Sequence, residues 1–134
     1  MLDIRDKWTK DFKEEHNTRF VKIAKVGKGT YGYVYKAHPV GNRGLYYALK
    51  KIKPNKERDD GFPITALREI KILQTLEHKN IVRLCGITTS KRAVQNKFRR
   101  STYLILEYME HDFLSLLRTI TFSYAEIKCL MKQL

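Results

Sequence analysis

The sequence predicts an α+β domain in which an antiparallel sheet packs against one helix. Three strand-like segments precede the first helical segment, and two further β-rich runs follow it before the chain becomes helical. The links between neighbouring strands have the length of hairpin turns, which favours antiparallel over parallel pairing. With 134 residues, the chain is long enough to form one domain with a core of its own.

The first three strands come from the first half of the chain. Residues 19–27, RFVKIAKVG, begin with alternating apolar and polar residues, which predicts a half-buried strand that stops at Gly27. Residues 31–37, YGYVYKA, resume a strand. The sequence GNRG at 41–44 predicts a hairpin turn that leads into a third strand at 45–53, LYYALKKIK.

The second half begins with a helix and ends with helices. Residues 63–78, PITALREIKILQTLEH, predict a helix with Pro63 in its first turn, where proline is tolerated. Two β-rich runs follow at 81–88 and 102–109, and residues 113–134 are predicted to be helical. The sequence contains neither internal repeats nor low-complexity tracts.

A net charge of +13 makes the chain strongly basic. Its densest basic segment, SKRAVQNKFRR at 90–100, is either a solvated loop or a docking surface for an acidic partner. Zinc-ligand spacing, RNP aromatics and a KH loop are all missing from the sequence, so direct nucleic-acid binding is not expected.

The cysteines, the N-terminal segment and the apolar runs bear on the cellular compartment of the protein. Cys85 and Cys129 show neither a disulfide framework nor a metal-ligand spacing, and we predict that they are buried thiols in a reducing compartment. The first twenty residues lack the apolar region of a secretory signal. Because no apolar run reaches roughly 18 residues, no membrane association is expected.

Three glycines lie close together in the segment GKGTYG at 27–32. Glycine weakens a strand, so the segment needs either a tight turn or a close approach of another group to the main chain. Free N–H groups at such a turn suit a phosphate. Because the segment joins two strands rather than a strand and a helix, a dinucleotide-binding turn is excluded. A purely structural hairpin and a phosphate site both remain open.

Lys50 and Glu69 are the two charged residues that the pattern places among apolar neighbours. Lys50 shares a strand face with Ala48 and Ile52, so its ammonium either reaches the edge of the sheet or has an anion beside it. Glu69 falls inside the apolar arc of the 63–78 helix, where a carboxylate needs a cation. We therefore expect Lys50 and Glu69 to pair.

The apolar arc of this helix is wider than the roughly 100° stripe of a simple surface helix. Its members are Ile64, Leu67, Ile70, Ile72, Leu73 and Leu76. We expect Ile70 and Leu73 to face inward. We expect Phe62 and Ile64 to face outward, in an exposed apolar patch of the kind that marks a protein interface.

Several segments together resemble the N-lobe of a eukaryotic protein kinase: GKGTYG, ALKK, PITALREI, HKNIVRL and LILEYMEHDFLSLL. The stretch GFPITALREIKIL resembles the cyclin-binding helix of the transcriptional cyclin-dependent kinases, which phosphorylate the C-terminal repeat domain of RNA polymerase II. The resemblance implies a five-stranded antiparallel sheet with one packed cyclin-type helix, followed by the first helices of a truncated C-lobe. It divides the chain into an N-terminal extension (1–18), the N-lobe and hinge (19–109) and the start of the C-lobe (110–134).

The resemblance also implies roles for individual residues. Lys50 corresponds to the lysine that contacts the α- and β-phosphates of ATP, and Glu69 to the carboxylate that orients it. The other positions that correspond to ATP-binding residues are Val26, Gly27, Lys28, Gly29, Thr30, Tyr31, Gly32, Val34, Ala48, Leu106, Glu107, Met109 and Asp112. Thr30 and Tyr31 also match loop positions whose phosphorylation inhibits some family members, although the favoured interpretation is that they are ordinary loop residues. Phe62 and Ile64 would contact the cyclin.

Family motifs for catalysis are missing from the 134 residues. The HRD catalytic loop, the DFG metal site and the activation loop do not occur, so the catalytic Asp and the Mg²⁺ ligands are absent. The resemblance therefore implies a fragment of a nuclear cyclin-dependent Ser/Thr kinase that uses ATP and Mg²⁺ and is inactive by itself. Two alternatives are a short non-catalytic cyclin-binding protein and a nucleotide-binding pseudokinase remnant.

Overall fold

The computed structural model describes residues 20–29, 32–53, 63–90 and 101–134. Its elements are β1 (Phe20–Gly29), β2 (Gly32–Pro39), β3 (Tyr47–Lys51), α1 (Ile64–Thr75), β4 (Leu84–Thr89), β5 (Thr102–Glu107), α2 (Phe113–Thr119) and α3 (Tyr124–Lys132). The predicted N-terminal extension, the loop residues Thr30 and Tyr31, the outward Phe62 and most of the basic segment at 90–100 lie outside the described residues.

The five strands form one sheet in the order β1-β2-β3-β5-β4, and every neighbouring pair is antiparallel. The helix α1 packs on one face of this sheet. Both findings confirm the predicted fold class, a five-stranded antiparallel sheet with one packed helix, and α2 and α3 follow as the helices expected after it.

Several element boundaries differ from the prediction, among them the end of β1 and the end of α1. Strand β1 does not stop at Gly27 but continues to Gly29, because the hairpin keeps pairing until Gly29 meets Gly32. Helix α1 ends at Thr75 rather than at His78. The Thr75 hydroxyl donates to the Ile72 carbonyl at 2.8 Å, a local bond that competes with continuation of the helix. Pro63 precedes the helix as its N-cap, with an extended backbone.

Two β-bulges change which side chains of β1 share a face. The register with β2 shifts between Lys22 and Ala24 and again between Lys25 and Gly27, so one extra residue is inserted each time. A regular strand has a side-chain period of two, but these insertions place Lys22, Lys25 and Lys28 on the same face. This is the face that lies away from α1.

The first three strands are basic throughout. They carry six lysines and no aspartate or glutamate. The lysines are Lys22, Lys25, Lys28, Lys36, Lys50 and Lys51.

The core has one part on each side of the sheet. The part away from α1 is formed by Ala37, Leu49, Tyr103 and Ile105. The part beneath α1 is formed by Ile52, Ala66, Ile70 and Leu104. The orientation expected for α1 is confirmed where it is described: Ile70 is 2% exposed, Leu73 is half-buried and Ile64 is 41% exposed.

The prediction of two buried thiols is wrong. Both cysteines are free, but Cys85 is only half-buried and Cys129 is exposed. Cys129 lies on α3, a helix without a single buried residue, so nothing in the described part of the chain covers it. None of the described helices is long and apolar enough to cross a membrane.

Candidate functional site

An ion pair joins β3 to α1. Lys50 Nζ donates a hydrogen bond to Glu69 Oε1 at 2.7 Å, and the two side chains are 19% and 25% exposed. This contact confirms the pairing expected from the apolar surroundings of both residues. Because both side chains are largely withdrawn from water, the attraction between the two charges offsets part of the cost of desolvating each of them.

The register of the sheet gathers apolar side chains around this pair. Val34 on β2 and Leu104 on β5 lie opposite Lys50, and directly opposed residues share a sheet face. Ala48 precedes Lys50 by two positions and lies opposite Leu106. Val34, Ala48 and Leu106, three of the predicted nucleotide-binding positions, therefore lie on the same face as Lys50.

The glycine hairpin lies beside this face, and the structure separates the roles of two of its glycines. Gly32 has a φ of +145°, and a Cβ added there would lie 2.5 Å from the carbonyl oxygen of Lys51. Gly32 is therefore required by the close approach of β3 to the hairpin. An added Cβ on Gly27 would meet nothing within 4 Å. Packing does not require Gly27, which leaves open space at that point of the hairpin.

The chain leaving β5 is tied to the segment before β4. The Glu107 N–H donates to the Arg83 carbonyl at 3.1 Å, and the Arg83 N–H donates to Glu107 Oε1 at 3.0 Å. Met109 follows two residues later and is exposed. These two bonds fix the start of the connection that the resemblance implies for adenine binding.

Asp112 has a structural role that the sequence reasoning missed. Its Oδ1 accepts a hydrogen bond from the Ser115 N–H at 2.6 Å and so caps the N-terminus of α2. The hydrogen bonds from Ser115 hold the pKa of Asp112 below its ordinary value, with smaller contributions from the charges of Arg118 and His111. An Asp directly before an apolar helical run was the sequence signal for this cap.

A lysine held between two aromatic rings was also missed. Lys36 Nζ lies 4.4 Å from the centre of the Tyr46 ring and 4.6 Å from that of Tyr108. The two rings are 6.3 Å apart. Tyr108 lies between Glu107 and Met109, so this contact attaches the same connection to β2. No local sequence pattern predicts it, because the three residues come from separate segments.

An exposed apolar patch lies on the outward side of α1. Its members are Ile64, Leu67, Ile72 and Leu76. Among the described residues, no group of three or more His, Cys, Asp or Glu side chains is arranged to hold a metal ion.

A search of solved structures finds a similar fold in a chain of the CAK complex from Chaetomium thermophilum bound to ATP-gamma-S. The TM-score is 0.67 at 28% sequence identity, and the match covers 99% of this chain and 39% of that chain. The present sheet and helices therefore correspond to part of a larger structure.

Curated relatives are cyclin-dependent kinases. Cyclin-dependent kinase 9 of Bos taurus is 44% identical over 119 residues, which are 87% of this chain and 32% of the relative. Cyclin-dependent kinase C-1 of Arabidopsis thaliana is 43% identical over 125 residues, 86% of this chain and 24% of the relative. The probable cyclin-dependent kinase 9 of Schizosaccharomyces pombe is 42% identical over 121 residues, 89% of this chain and 20% of the relative. The chain thus spans a third or less of the length of these relatives.

The family model of the protein kinase domain matches residues 20–134, which include every described element from β1 to α3. Together with the ion pair between β3 and α1 and the glycine hairpin beside it, this match leads to one conclusion. The chain belongs to the protein kinase domain family.

Proposed function

We propose that this chain is the nucleotide-binding lobe of a cyclin-dependent Ser/Thr protein kinase. The observation that carries the proposal is the 2.7 Å ion pair between Lys50 and Glu69. It holds an ammonium group on the apolar sheet face beside the glycine hairpin, where an anionic ligand would find a fixed positive charge.

The chemistry of these residues suits ATP. Lys50 would contact the α- and β-phosphates while Glu69 keeps its ammonium in place. The hairpin backbone from Gly27 to Gly32 would offer N–H groups to the phosphates, and the open space at Gly27 leaves room for them. The adenine would lie among Val26, Val34, Ala48 and Leu106. Backbone groups of Glu107 and Met109 would hydrogen-bond its edge, with Asp112 near the ribose.

The described residues do not gather a set of carboxylate ligands for Mg²⁺. In protein kinases, transfer of the γ-phosphate also needs an Asp that accepts the substrate proton and residues that hold the metal. The HRD and DFG sequences that supply them in the family do not occur in the 134 residues. We therefore propose that these residues bind ATP but do not transfer its phosphate by themselves.

The proposed partner is a cyclin, and the proposed substrate of the whole kinase is the C-terminal repeat domain of RNA polymerase II in the nucleus. The exposed apolar residues of α1 support the partner, since such patches mark protein interfaces. The names of the relatives, all cyclin-dependent kinases, support the same assignment.

Calorimetric titration of the chain with ATP tests the nucleotide site. We expect Lys50→Met to weaken binding by at least about tenfold, since it removes a charge-assisted contact to phosphate. Lys51→Met is the matched control, because Lys51 is the next residue and its side chain lies on the opposite face. Failure of the folded chain to bind ATP, or equal losses in the two variants, would overturn the proposal.

A further inference from the structure

We propose that Lys22 is a positioning residue for the glycine hairpin. Its ammonium group fastens the edge strand β1 to the inner strand β5 on the face away from the nucleotide. The effect on nucleotide affinity rests on the proposed function, whereas the fastening of β1 does not.

The contact that carries this inference spans the sheet. Lys22 Nζ donates a hydrogen bond to the Tyr103 hydroxyl at 2.7 Å. The same ammonium lies 4.3 Å from the centre of the Tyr35 ring and 4.3 Å from that of the Tyr103 ring. The two rings are 6.4 Å apart in an edge-to-face arrangement. The cation therefore lies between two rings and has a hydrogen-bond acceptor as well, a combination that favours one fixed position.

The three residues come from three strands. Lys22 is on β1, Tyr35 on β2 and Tyr103 on β5, and β3 lies between the last two. Three strand spacings separate the backbones of β1 and β5, about 14 Å at the usual spacing. Extended side chains from both ends bridge this distance. Tyr103 is itself buried in the core with Ala37, Leu49 and Ile105, so the residue that Lys22 contacts on β5 is held in place by packing.

The position of this contact matters because the backbone pairing of β1 is interrupted just beyond it. One bulge follows Lys22 directly, and the second follows Lys25. A bulge leaves a residue without its ladder partner, so the backbone attachment of β1 to β2 is weaker between Lys22 and Gly27 than in a regular hairpin. Among the described strands, β1 lies at the edge of the sheet and pairs with β2 alone. Side-chain contacts such as that of Lys22 then help to fix the position of β1 relative to the inner strands. The glycine hairpin continues β1, so its position is fixed by the same contacts.

The bulges themselves bring Lys22 and Lys25 to the same face. Lys25 Nζ lies 3.3 Å from the centre of the Tyr33 ring on β2, the strand next to it. Lys22 alone of these two reaches past β2 to the interior of the sheet. Because the hairpin continues β1, fixing the beginning of this strand also fixes the distance between the hairpin and the sheet face that carries Lys50.

Amide hydrogen exchange of the 134-residue chain tests the fastening without any nucleotide. We expect Lys22→Met to raise the exchange rates of residues 20–29 by about fivefold, while those of β4 and α3 stay unchanged. Lys22→Arg, which keeps a cation between the rings, should restore most of the protection. Tyr103→Phe, which keeps the ring but loses the hydroxyl, should give an intermediate rate. Lys51→Met removes a charge from the same face without touching β1 and should leave the exchange of residues 20–29 unchanged.

A purely structural role would raise exchange throughout the sheet, and that outcome would overturn the proposal. So would unchanged exchange in Lys22→Met, or equal effects of Lys22→Met and Lys51→Met. In the same variants, we expect the dissociation constant for ATP to rise about threefold or more in Lys22→Met and not in Lys22→Arg. If the wild-type chain binds ATP and Lys22→Met binds it equally well, the positioning role is wrong. If the wild-type chain does not bind ATP, the proposed function fails, and the exchange data alone decide whether Lys22 fastens β1.

Discussion

Lys50 and Glu69 are 19 positions apart in sequence, yet their charged atoms lie 2.7 Å from each other across β3 and α1. With side chains 19% and 25% exposed, the pair is intermediate between a surface salt bridge and a buried one. A double-mutant cycle with Lys50→Met, Glu69→Gln and the combined variant should give a coupling free energy of about 1 kcal/mol in urea unfolding. Additive losses in the cycle would contradict this, because they would mean that the contact contributes nothing to folding stability.

Gly32 and Gly27 make a matched pair for testing the hairpin. We expect Gly32→Ala to lower the free energy of unfolding by about 2–4 kcal/mol, because the new methyl group would collide with the Lys51 carbonyl and φ is positive. Gly27→Ala should be neutral or slightly stabilising, within about 0.5 kcal/mol, because its Cβ meets open space. Denaturant unfolding of both variants measures the difference. Similar losses in the two would refute the distinction between these glycines.

The Asp112 cap should make the first turn of α2 sensitive to acid. The pKa of Asp112 is lower in the folded chain than its ordinary value of 3.8, because the carboxylate accepts hydrogen bonds from Ser115. A lowered pKa means that the stabilisation is present above that ordinary value and is lost as the pH falls through the folded pKa. The Ser115 amide resonance should therefore shift during acid titration by NMR. In Asp112→Asn, which keeps an acceptor at the cap, this titration should disappear. An amide shift that persists in Asp112→Asn would assign the effect to another group.

The 134 residues should show no phosphotransferase activity of their own. They lack the Asp that would accept the substrate proton, so bound ATP has no route to a protein hydroxyl. A radiolabelled-ATP assay with an RNA polymerase II repeat peptide measures this directly. Activity that survives purification of the wild-type chain and is abolished in Lys50→Ala would show that the prediction is wrong.

Cyclin binding should depend on the outward side of α1. Ile64 is 41% exposed, and replacing it by Asp puts a charge in the proposed apolar interface. We expect Ile64→Asp to weaken binding to a purified transcriptional cyclin by at least about tenfold in calorimetry, and Phe62→Ala to weaken it as well. Leu117→Asp, the same change at an exposed position of α2, is the control and should bind normally. No binding by the folded wild-type chain, or equal losses in Ile64→Asp and Leu117→Asp, would rule out this interface.

The main features of the fold could be predicted because they depend on local patterns. Strand alternation, hairpin turns and the wide apolar arc of the helix each have a short-range signal, and the described residues contain strands and helices in the expected order. The pairing of Lys50 with Glu69 was also predictable. Each of these residues has a charged side chain among apolar neighbours, and two opposite charges in such surroundings are expected to form an ion pair.

What the sequence did not reveal depends on long-range register. Simple alternation along β1 would place Lys22 and Lys28 on one face of the sheet and Lys25 on the other. The two bulges place all three on the same face, and they are set by pairing with β2 rather than by a signal within β1. The ring contacts of Lys22 and Lys36 have the same origin, since their tyrosines come from other segments. Cys129 was expected to be buried from its residue type, whereas its exposure follows from the helix on which it lies.

Strands β1, β2 and β3 carry six lysines and no carboxylate. This charge should affect the rate at which an anionic ligand associates with the sheet as well as its binding affinity. Like-signed charges on the two faces of one sheet add their long-range potentials and attract an oppositely charged molecule before any contact forms. A polyphosphate ligand would therefore meet this sheet more often than a neutral molecule of the same size. Dissolved ions screen such attraction beyond about 8 Å at physiological ionic strength. Added salt should therefore slow the arrival of a nucleotide more than it hastens its departure, because the departing ligand breaks short contacts that salt screens poorly.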